Sequence, residues 1–558
     1  MDVAVLPVFK EPRPFFPSAR ISFPPEGDAK IRTRLSSCKT SHNFFLHHLL
    51  PCLGRSNSFL AQGTRKYYTP LDFSNTAHTN VAQLGLDSQQ CSLCSVQTVN
   101  LQHRCARSSV DQSSRLRICR SGVRIPPGAL PASFFASRLP MIPSIMTLPN
   151  GLRIVALRTE GVPLVTIGVA YHVGAAHESP HQTGYAHLFE HLMFDNLARP
   201  DGKSFDELVT DAGGTSNAYT TYDWTYYHMT LPAAAWELGL ELEAERMRGF
   251  AISPAALETQ RRVVIEEIAE NVFNQPYGTA QMLLARTAFS DGSCYSWDVY
   301  GSIEHLRAMT LEDARQWYER YYRPNNAVLT VVGCVESITA VLERTAELFS
   351  TLAPSSIGTH NECTAAPRHA RHVERDSALP ADMLLCAYHL PGIHDRSTLS
   401  TAKVLATVLG TGRSSPVARR FVYDEMLAHT AHVGLDQREH ASLLEFSAIA
   451  RTKSITADLL FEHWQTLVRE FFLSRQPLSE EHMERARNKI RRRYAQSFQT
   501  TEGLADMLAT ATLLYGDPER PWKELSELTS IDRDALCNLA EKLFHQEPAI
   551  VEYSTVPQ

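Results

Sequence analysis

The sequence lacks the two features that would place it in a membrane or on nucleic acid. Nowhere in its 558 residues do 18 or more apolar residues run without a charge, so no membrane span is predicted. It has no overall basic excess, because 54 Lys and Arg stand against 60 Asp and Glu, a formal net charge of -6. That balance argues against a general nucleic-acid binder. With 44% hydrophobic and 20% charged residues, the chain has the composition of an ordinary globular protein.

The first 140 residues lack the periodic apolar pattern of a folded domain. Their 17 Lys and Arg against 7 Asp and Glu, with many serines, are typical of a mitochondrial transit peptide, but four prolines before residue 18 would break its helix. Alternatively, the segment 108–129 resembles a translated transfer-RNA gene, which would make the upstream sequence a gene-model artefact with its true start at Met141 or Met146. We favour an artefact or plain disorder, and expect 1–145 to be an unstructured or mis-annotated extension.

Paired cysteine spacing is also missing after residue 140, where five cysteines remain. Cysteines without pairing are typical of a reducing compartment. We therefore expect a cytoplasmic protein, or a mitochondrial one if residues 1–140 are a genuine targeting segment.

Ordered patterns begin near residue 146. Val165, Ile167 and Val169 alternate with smaller or polar residues, which is the period of a half-buried strand. Helices are predicted over 183–197, 204–212, 233–250, 256–272 and 311–322, the last capped by Thr310, and strands over 224–231 and 327–335.

The pattern then repeats along the chain. The tripeptide AYH at 170–172 returns 217 residues later at 387–389, and the helix and strand at 310–335 return at about 530–554. Two copies of one α/β unit of roughly 200 residues explain 146–555. The predicted units are a first domain over 146–352, a linker over 353–380 and a second repeat over 381–558.

The segment 187–191, HLFEH, is the strongest chemical signal in the sequence. On a helix, His187 and His191 share one face and form half of a zinc site. Glu190 lies beside them and, if it is not a ligand, can take a proton from a zinc-bound water, whose pKa the metal lowers to about 7. The apolar residues around this segment make burial of these polar groups costly unless a metal or a hydrogen-bond network compensates.

A catalytic zinc needs a third ligand from the protein and one open position. Candidates lie in the segment 263–270, VVIEEIAE. Helical geometry alone does not choose among Glu266, Glu267 and Glu270.

Several separate motifs resemble those of the pitrilysin/insulinase metallopeptidases, over about 410 residues. They are GYAHLFEHLMF at 184–194, GGTSNAYT at 213–220, DWT at 223–225, EAERM at 243–247 and NQPYG at 274–278. The resemblance implies a third ligand about 76 residues after His191, which is Glu267, and one zinc ion per chain. It also implies an α+β fold of two homologous halves, each an antiparallel-rich sheet backed by helices, that form part of a peptide-enclosing chamber.

The same resemblance implies that an edge strand beside the site, containing Asn217, Ala218 and Tyr219, takes up peptide backbone by strand addition. In the second repeat, the positions equivalent to the motif are Val404, Thr407 and Val408, so that repeat carries no metal motif. Many active members carry an Arg and a Tyr in the later repeat. Tyr423 and His429 stand near the expected places here, but the pair itself is not recognisable.

We expect a zinc endopeptidase that hydrolyses unfolded peptides, with Glu190 as general base. The missing Arg and Tyr favour a homo- or heterodimer with a subunit of the same fold that supplies them. The alternative is a non-catalytic structural or chaperoning subunit of the same fold in a larger complex. The intact His187, Glu190, His191 and Glu267 favour the enzyme.

Overall fold

The computed structural model describes residues 141–199, 202–356, 363–473 and 478–555. The prediction for residues 1–145 therefore lies almost entirely outside the described residues. Within them, no helix combines the length and apolar character that crossing a bilayer requires.

The first half of the described chain is built on a six-stranded sheet. Its strands are β1 (Ser144–Thr147), β2 (Arg153–Arg158), β3 (Leu164–Tyr171), β4 (Thr215–Thr220), β5 (Thr225–Pro232) and β6 (Ala327–Gly333). They lie in the order β1-β2-β6-β3-β5-β4, with only β2 and β6 parallel. Its helices are α1 (Tyr185–Leu192), α2 (Phe205–Asp211), α3 (Trp236–Arg248), α4 (Pro254–Ile268), α5 (Ala280–Ala288), α6 (Ile303–Ala308), α7 (Leu311–Tyr321) and α8 (Ile338–Phe349).

The second half has a five-stranded sheet of the same design. Its strands are β7 (Arg371–Arg375), β8 (Met383–Pro391), β9 (Ala428–Asp436), β10 (Ala441–Ala450) and β11 (Ala549–Ser554). They lie in the order β7-β11-β8-β10-β9, with only β7 and β11 parallel. Its helices are α9 (Arg396–Gly410), α10 (Ala457–Val468), α11 (Glu480–Ser497), α12 (Thr501–Tyr515), α13 (Arg520–Ser530) and α14 (Arg533–Phe544).

The two sheets share one topology, because each strand from β2 to β6 has a counterpart with the same neighbours in the second sheet. The predicted α+β fold of two sheets with helices is confirmed. The segment 353–380, expected as a linker, also contains β7, an edge strand that pairs with β11. That segment therefore contributes to the second sheet as well as connecting the halves.

Each sheet is covered on one face by a helix from the other half. Helix α12 packs on β3 and β6, where Leu504 and Leu508 lie against Val328 and Trp224. Helix α5 packs on β8 and β11, where Leu284 joins a separate apolar cluster of the second sheet. This reciprocal exchange explains why β3 and β6 are buried along almost their whole length.

The predicted elements are present, but several end earlier than the apolar pattern suggested. The helix expected over 183–197 is shorter and consists of α1 alone. It begins after Gly184, which adopts φ 90°, and the chain turns after Leu192. The helix expected over 256–272 is α4 followed by a π-helical turn at Ala269–Phe273. Thr310 does cap α7, accepting a hydrogen bond from the Asp313 amide.

The expectation that the cysteines after residue 140 are unpaired is wrong for two of them. Cys294 and Cys363, 69 residues apart, form a disulfide, with their Cα atoms 5.4 Å apart. Spacing along the chain carries no signal for this pair, because the fold brings the residues together over a long separation.

Candidate functional site

Helix α1 presents the two histidines of the HLFEH segment on one face. The rings of His187 and His191 lie with their centroids 5.1 Å apart and nearly perpendicular. His187 is 2% exposed, and the ring of Tyr300 packs edge-on against it at 5.1 Å. The predicted pairing of these histidines on one helix face is thus present in the structure.

A buried carboxylate fixes the start of this helix. Glu178 Oε2 accepts a hydrogen bond from the Gly184 amide at 3.0 Å, and Oε1 accepts one from Ala186 at 2.8 Å. These amides are among those that a helix N-terminus leaves without intrahelical partners. Burial raises the pKa of Glu178 well above its ordinary value, against the effect of these bonds. Sequence reasoning missed Glu178, because it lies six residues before Gly184 and reaches the helix start only through the turn between them.

Gly184 has no room for a side chain. Its φ is +90°, and a Cβ there would lie 2.6 Å from the Tyr300 carbonyl oxygen. Gly184→Ala is therefore expected to lower the free energy of unfolding by about 1–3 kcal/mol through backbone strain alone, and by more through the clash. Urea unfolding checks this against Gly161→Ala, whose φ is +115° with nothing within 4 Å. Equal losses of unfolding free energy in the two variants would show that the clash at Gly184 is relieved at no cost.

Glu267 joins the two histidines from near the end of α4. Its Oε1 lies 3.9 Å from His187 Nε2, and its Oε2 lies 3.3 Å from His191 Nε2. One ligand atom from each of the three residues lies within 4.8 Å of the others. Glu266 and Glu270 are exposed and lie outside this cluster. The structure therefore brings together the three residues predicted as ligands and leaves the two alternative glutamates apart.

The donor set fits a divalent cation. Neither ring nitrogen of His187 has a hydrogen-bond partner within the described residues, although both are buried. Burial, and then the neighbouring His191, lower the pKa of His187 to about 4, which keeps its imidazole neutral and able to donate a lone pair. Two imidazoles and one carboxylate are the ligands of many catalytic zinc sites.

Glu190 lies beside the cluster without belonging to it. Its Oε2 accepts a hydrogen bond from Thr220 Oγ1 at 2.7 Å, which orients the carboxylate. Burial raises the pKa of Glu190, against the opposing effects of Thr220 and His191. A buried carboxylate of raised pKa that is oriented by a hydrogen bond has the character of a general base.

The predicted substrate strand is β4, at the edge of the first sheet, and in the described part of the chain it pairs only with β5. Asn217 is exposed, and its Oδ1 accepts a hydrogen bond from the Ala218 amide. Since Thr220 on the same strand bonds to Glu190, this edge leads directly to the cluster. The edge has the geometry that strand addition needs.

The opposite face of β4 is held by the second half of the chain. Tyr219 Oη donates a hydrogen bond to Asp506 Oδ1 on α12 at 2.5 Å and accepts one from Trp224 Nε1 at 3.2 Å. Thus β4 is fixed on one face by Thr220 and on the other by Tyr219. Asp506 was missed in the sequence because its contact with Tyr219 spans 287 residues.

Tyr219→Phe is expected to lower the free energy of unfolding by about 1–3 kcal/mol, because Asp506 would keep its burial and lose its hydrogen-bond donor. Amide exchange in 215–220 should accelerate as β4 loosens. Tyr171→Phe is the control, since its buried hydroxyl has no hydrogen-bond partner in the described ranges. Unchanged exchange in Tyr219→Phe would contradict a positioning role for this bond.

The second half has no equivalent cluster among its described residues. Val404, Thr407 and Val408, the positions equivalent to the motif, are buried on α9. Tyr423, near the place expected for the missing pair, lies in a π-helical turn and is 46% exposed.

Both halves match models of one protein family. Residues 153–295 match the model described as Insulinase (Peptidase family M16), and residues 308–490 match Peptidase M16 inactive domain. Together the matches cover more than half of the sequence. The chain belongs to the M16 family.

Other M16 proteins and structures agree with this assignment. The chain is 29% identical to zinc protease PqqE of Helicobacter pylori, over 56% of this chain and 70% of that protein. It is 24% identical to cytochrome b-c1 complex subunit 1 of Rattus norvegicus, over 81% and 95% of the two chains. The crystal structure of a protease from Helicobacter pylori superimposes with a TM-score of 0.69 at 22% identity, over 74% of this chain and all of that one. That superposition shows the shared two-domain fold.

Proposed function

We propose that this M16 chain is a zinc-dependent endopeptidase that hydrolyses unfolded peptides. The observation that carries the proposal is the convergence of His187, His191 and Glu267, with both His187 nitrogens buried and without hydrogen-bond partners among the described residues. Leaving such nitrogens unsatisfied is costly, and an ion bound by Nε2, the nitrogen that faces Glu267, would compensate that one. The name of the relative from Helicobacter pylori, a zinc protease, supports zinc as the ion. We propose one zinc per chain, because the described residues bring together one such set of ligands.

His187, His191 and Glu267 would hold the zinc, and the chemistry that the ion supplies is Lewis acidity, which makes water nucleophilic at neutral pH. Glu190 would accept the proton of the attacking water on Oε1, because its Oε2 is engaged by Thr220. It would then pass that proton to the leaving amine. The edge of β4, at 217–219, would align the peptide backbone by hydrogen bonds, which only an extended, unfolded segment can form.

The alternative is a non-catalytic subunit, and a specific observation favours it. One relative is named as a subunit of the cytochrome b-c1 complex. The match covers 95% of that subunit and 81% of this chain. The intact constellation of Glu190 and its three neighbouring ligand candidates favours the enzyme. We further propose a partner subunit of the same fold, because the second half lacks the expected Arg and Tyr. A cytoplasmic location is also proposed, but the cysteines no longer support it, because Cys294 pairs with Cys363.

The test is zinc content and hydrolysis of an unfolded peptide by the purified full chain, alone and with a co-expressed homologue. One zinc per chain, with cleavage lost on chelation and restored by zinc, is the expected result. A chain that binds zinc but cleaves no peptide in either preparation would support the structural subunit.

A further inference from the structure

A cavity of about 550 Å³ lies between the first half of the chain and the second sheet. On one side are residues that follow α4, among them Asn271 and Tyr277, and on the other are strands β8, β9 and β10 and helix α9. Its volume is within the range of pockets that bind small ligands or side chains.

The cavity adjoins the candidate metal cluster. Asn271, which lines it, lies one helical turn after Glu267, and its Nδ2 is 3.5 Å from Glu267 Oε1. A peptide held beside Glu267 therefore has this cavity within reach of its side chains. The two sites are linked through first-half residues, whereas most of the cavity wall comes from the second half.

Glu445, on β10, is the buried acid of this cavity. It is 6% exposed, and its Oε1 has no hydrogen-bond partner within the described ranges, while its Oε2 accepts one from Gln281 Nε2 at 3.3 Å. Burial, and then the nearby Asp436, raise the pKa of Glu445 to about 7. A carboxyl with an unused acceptor in such surroundings gains from a donor, and most from a positively charged one.

The sheet itself offers Glu445 no ionic partner. Its cross-strand neighbours are Gly434 and Ala387, which carry no polar side chain and leave space beside the carboxylate. Two nearby cations already have carboxylate partners, because Arg438 forms a buried pair with Asp436 and Lys403 bonds to Glu524 at 2.9 Å. Lys403 and Arg493 themselves line the cavity, whereas the carboxylates Asp436 and Glu524 do not, so Glu445 is the one acid among the lining residues.

We propose that this cavity is a specificity subsite that receives a Lys or Arg side chain of the peptide substrate, with Glu445 as its counter-charge. Met383, Leu385 and Val433 line the approach and suit the methylene stem of such a side chain. The inference rests on the proposed peptidase function and assigns to the second half a role in choosing the substrate.

The test measures peptide binding to full-length Glu190→Gln protein, so that hydrolysis does not interfere. The probes are three series of fluorescent peptides that carry a single Lys, norleucine or Glu. Within each series, that residue is placed at each position of the peptide in turn, and the rest of the sequence is unchanged. At one position, Lys should bind about tenfold tighter than norleucine, which has a similar stem without the charge, and Glu should bind more weakly than either. Adding Glu445→Gln should remove the Lys preference and leave norleucine binding unchanged.

Glu462→Gln is the matched control, because it makes the same charge change on exposed α10, outside the cavity. A Lys preference that survives Glu445→Gln would overturn the assignment. A preference for Glu would also overturn it and would point to Arg493 on the same wall as the charged group. If all peptides bind equally and the unsubstituted chain cleaves normally, the proposed peptidase function stands and the proposed subsite is wrong. If no peptide binds and none is cleaved, both proposals are wrong.

Discussion

Glu190→Gln is expected to retain zinc at one per chain and to lower peptide turnover by about 10²–10⁴-fold, the range for losing a general base. Gln has nearly the volume of Glu and can still accept the hydrogen bond that Thr220 donates. Its amide nitrogen, which replaces the second carboxylate oxygen, cannot accept a proton. Zinc stoichiometry and turnover, measured in one preparation with the partner subunit present if activity needs it, check both parts.

Glu266→Gln is the control for this experiment, since it makes the same change on an exposed neighbour of Glu267 outside the ligand cluster. It should keep both zinc and turnover. Near-normal turnover in Glu190→Gln would remove Glu190 from the chemistry. Loss of zinc in Glu190→Gln would instead make it a ligand.

Removal of a ligand should have the other large effect. Glu267→Ala is expected to weaken zinc binding by more than the 10–100-fold that loss of an outer-shell partner costs, because two histidines alone leave a structural or catalytic zinc incomplete. Competition with a chelator of known affinity measures the change. His187→Ala should behave in the same way and additionally leaves a cavity beside Tyr300.

Glu266→Ala and Glu270→Ala serve as controls, because both side chains are exposed. They should leave zinc affinity within about twofold of the unsubstituted chain, as expected for residues that do not touch the ion. If either of them loses zinc while Glu267→Ala keeps it, the third ligand has been misassigned.

The part of the site that could be predicted from the sequence is the part encoded locally. His187, Glu190 and His191 lie within one helical turn and a half, so their shared face follows from helical geometry. Glu267 was one of three equal candidates until the resemblance to a family separated them. The fold then explains the choice, because α4 turns Glu267 toward the histidines and Glu266 and Glu270 toward solvent.

Residues that act through tertiary contacts could not be predicted. Asp506 holds β4 from the other half of the chain, and Cys294 pairs with Cys363 across 69 residues. Neither contact leaves a periodic pattern, because each depends on how distant elements pack. The strand β7 was hidden for a related reason: it is short, polar and at an edge of the sheet.

The exchange of α5 and α12 between the halves makes the second half, which has no metal motif, necessary for the fold of the first. Removing either half would strip a covering helix from the other sheet and expose the apolar face beneath it. The two halves are therefore interdependent in folding, like the subunits of an obligate dimer joined by a tether. A substitution that disrupts the architecture of the second half would therefore also uncover the sheet that carries the candidate site.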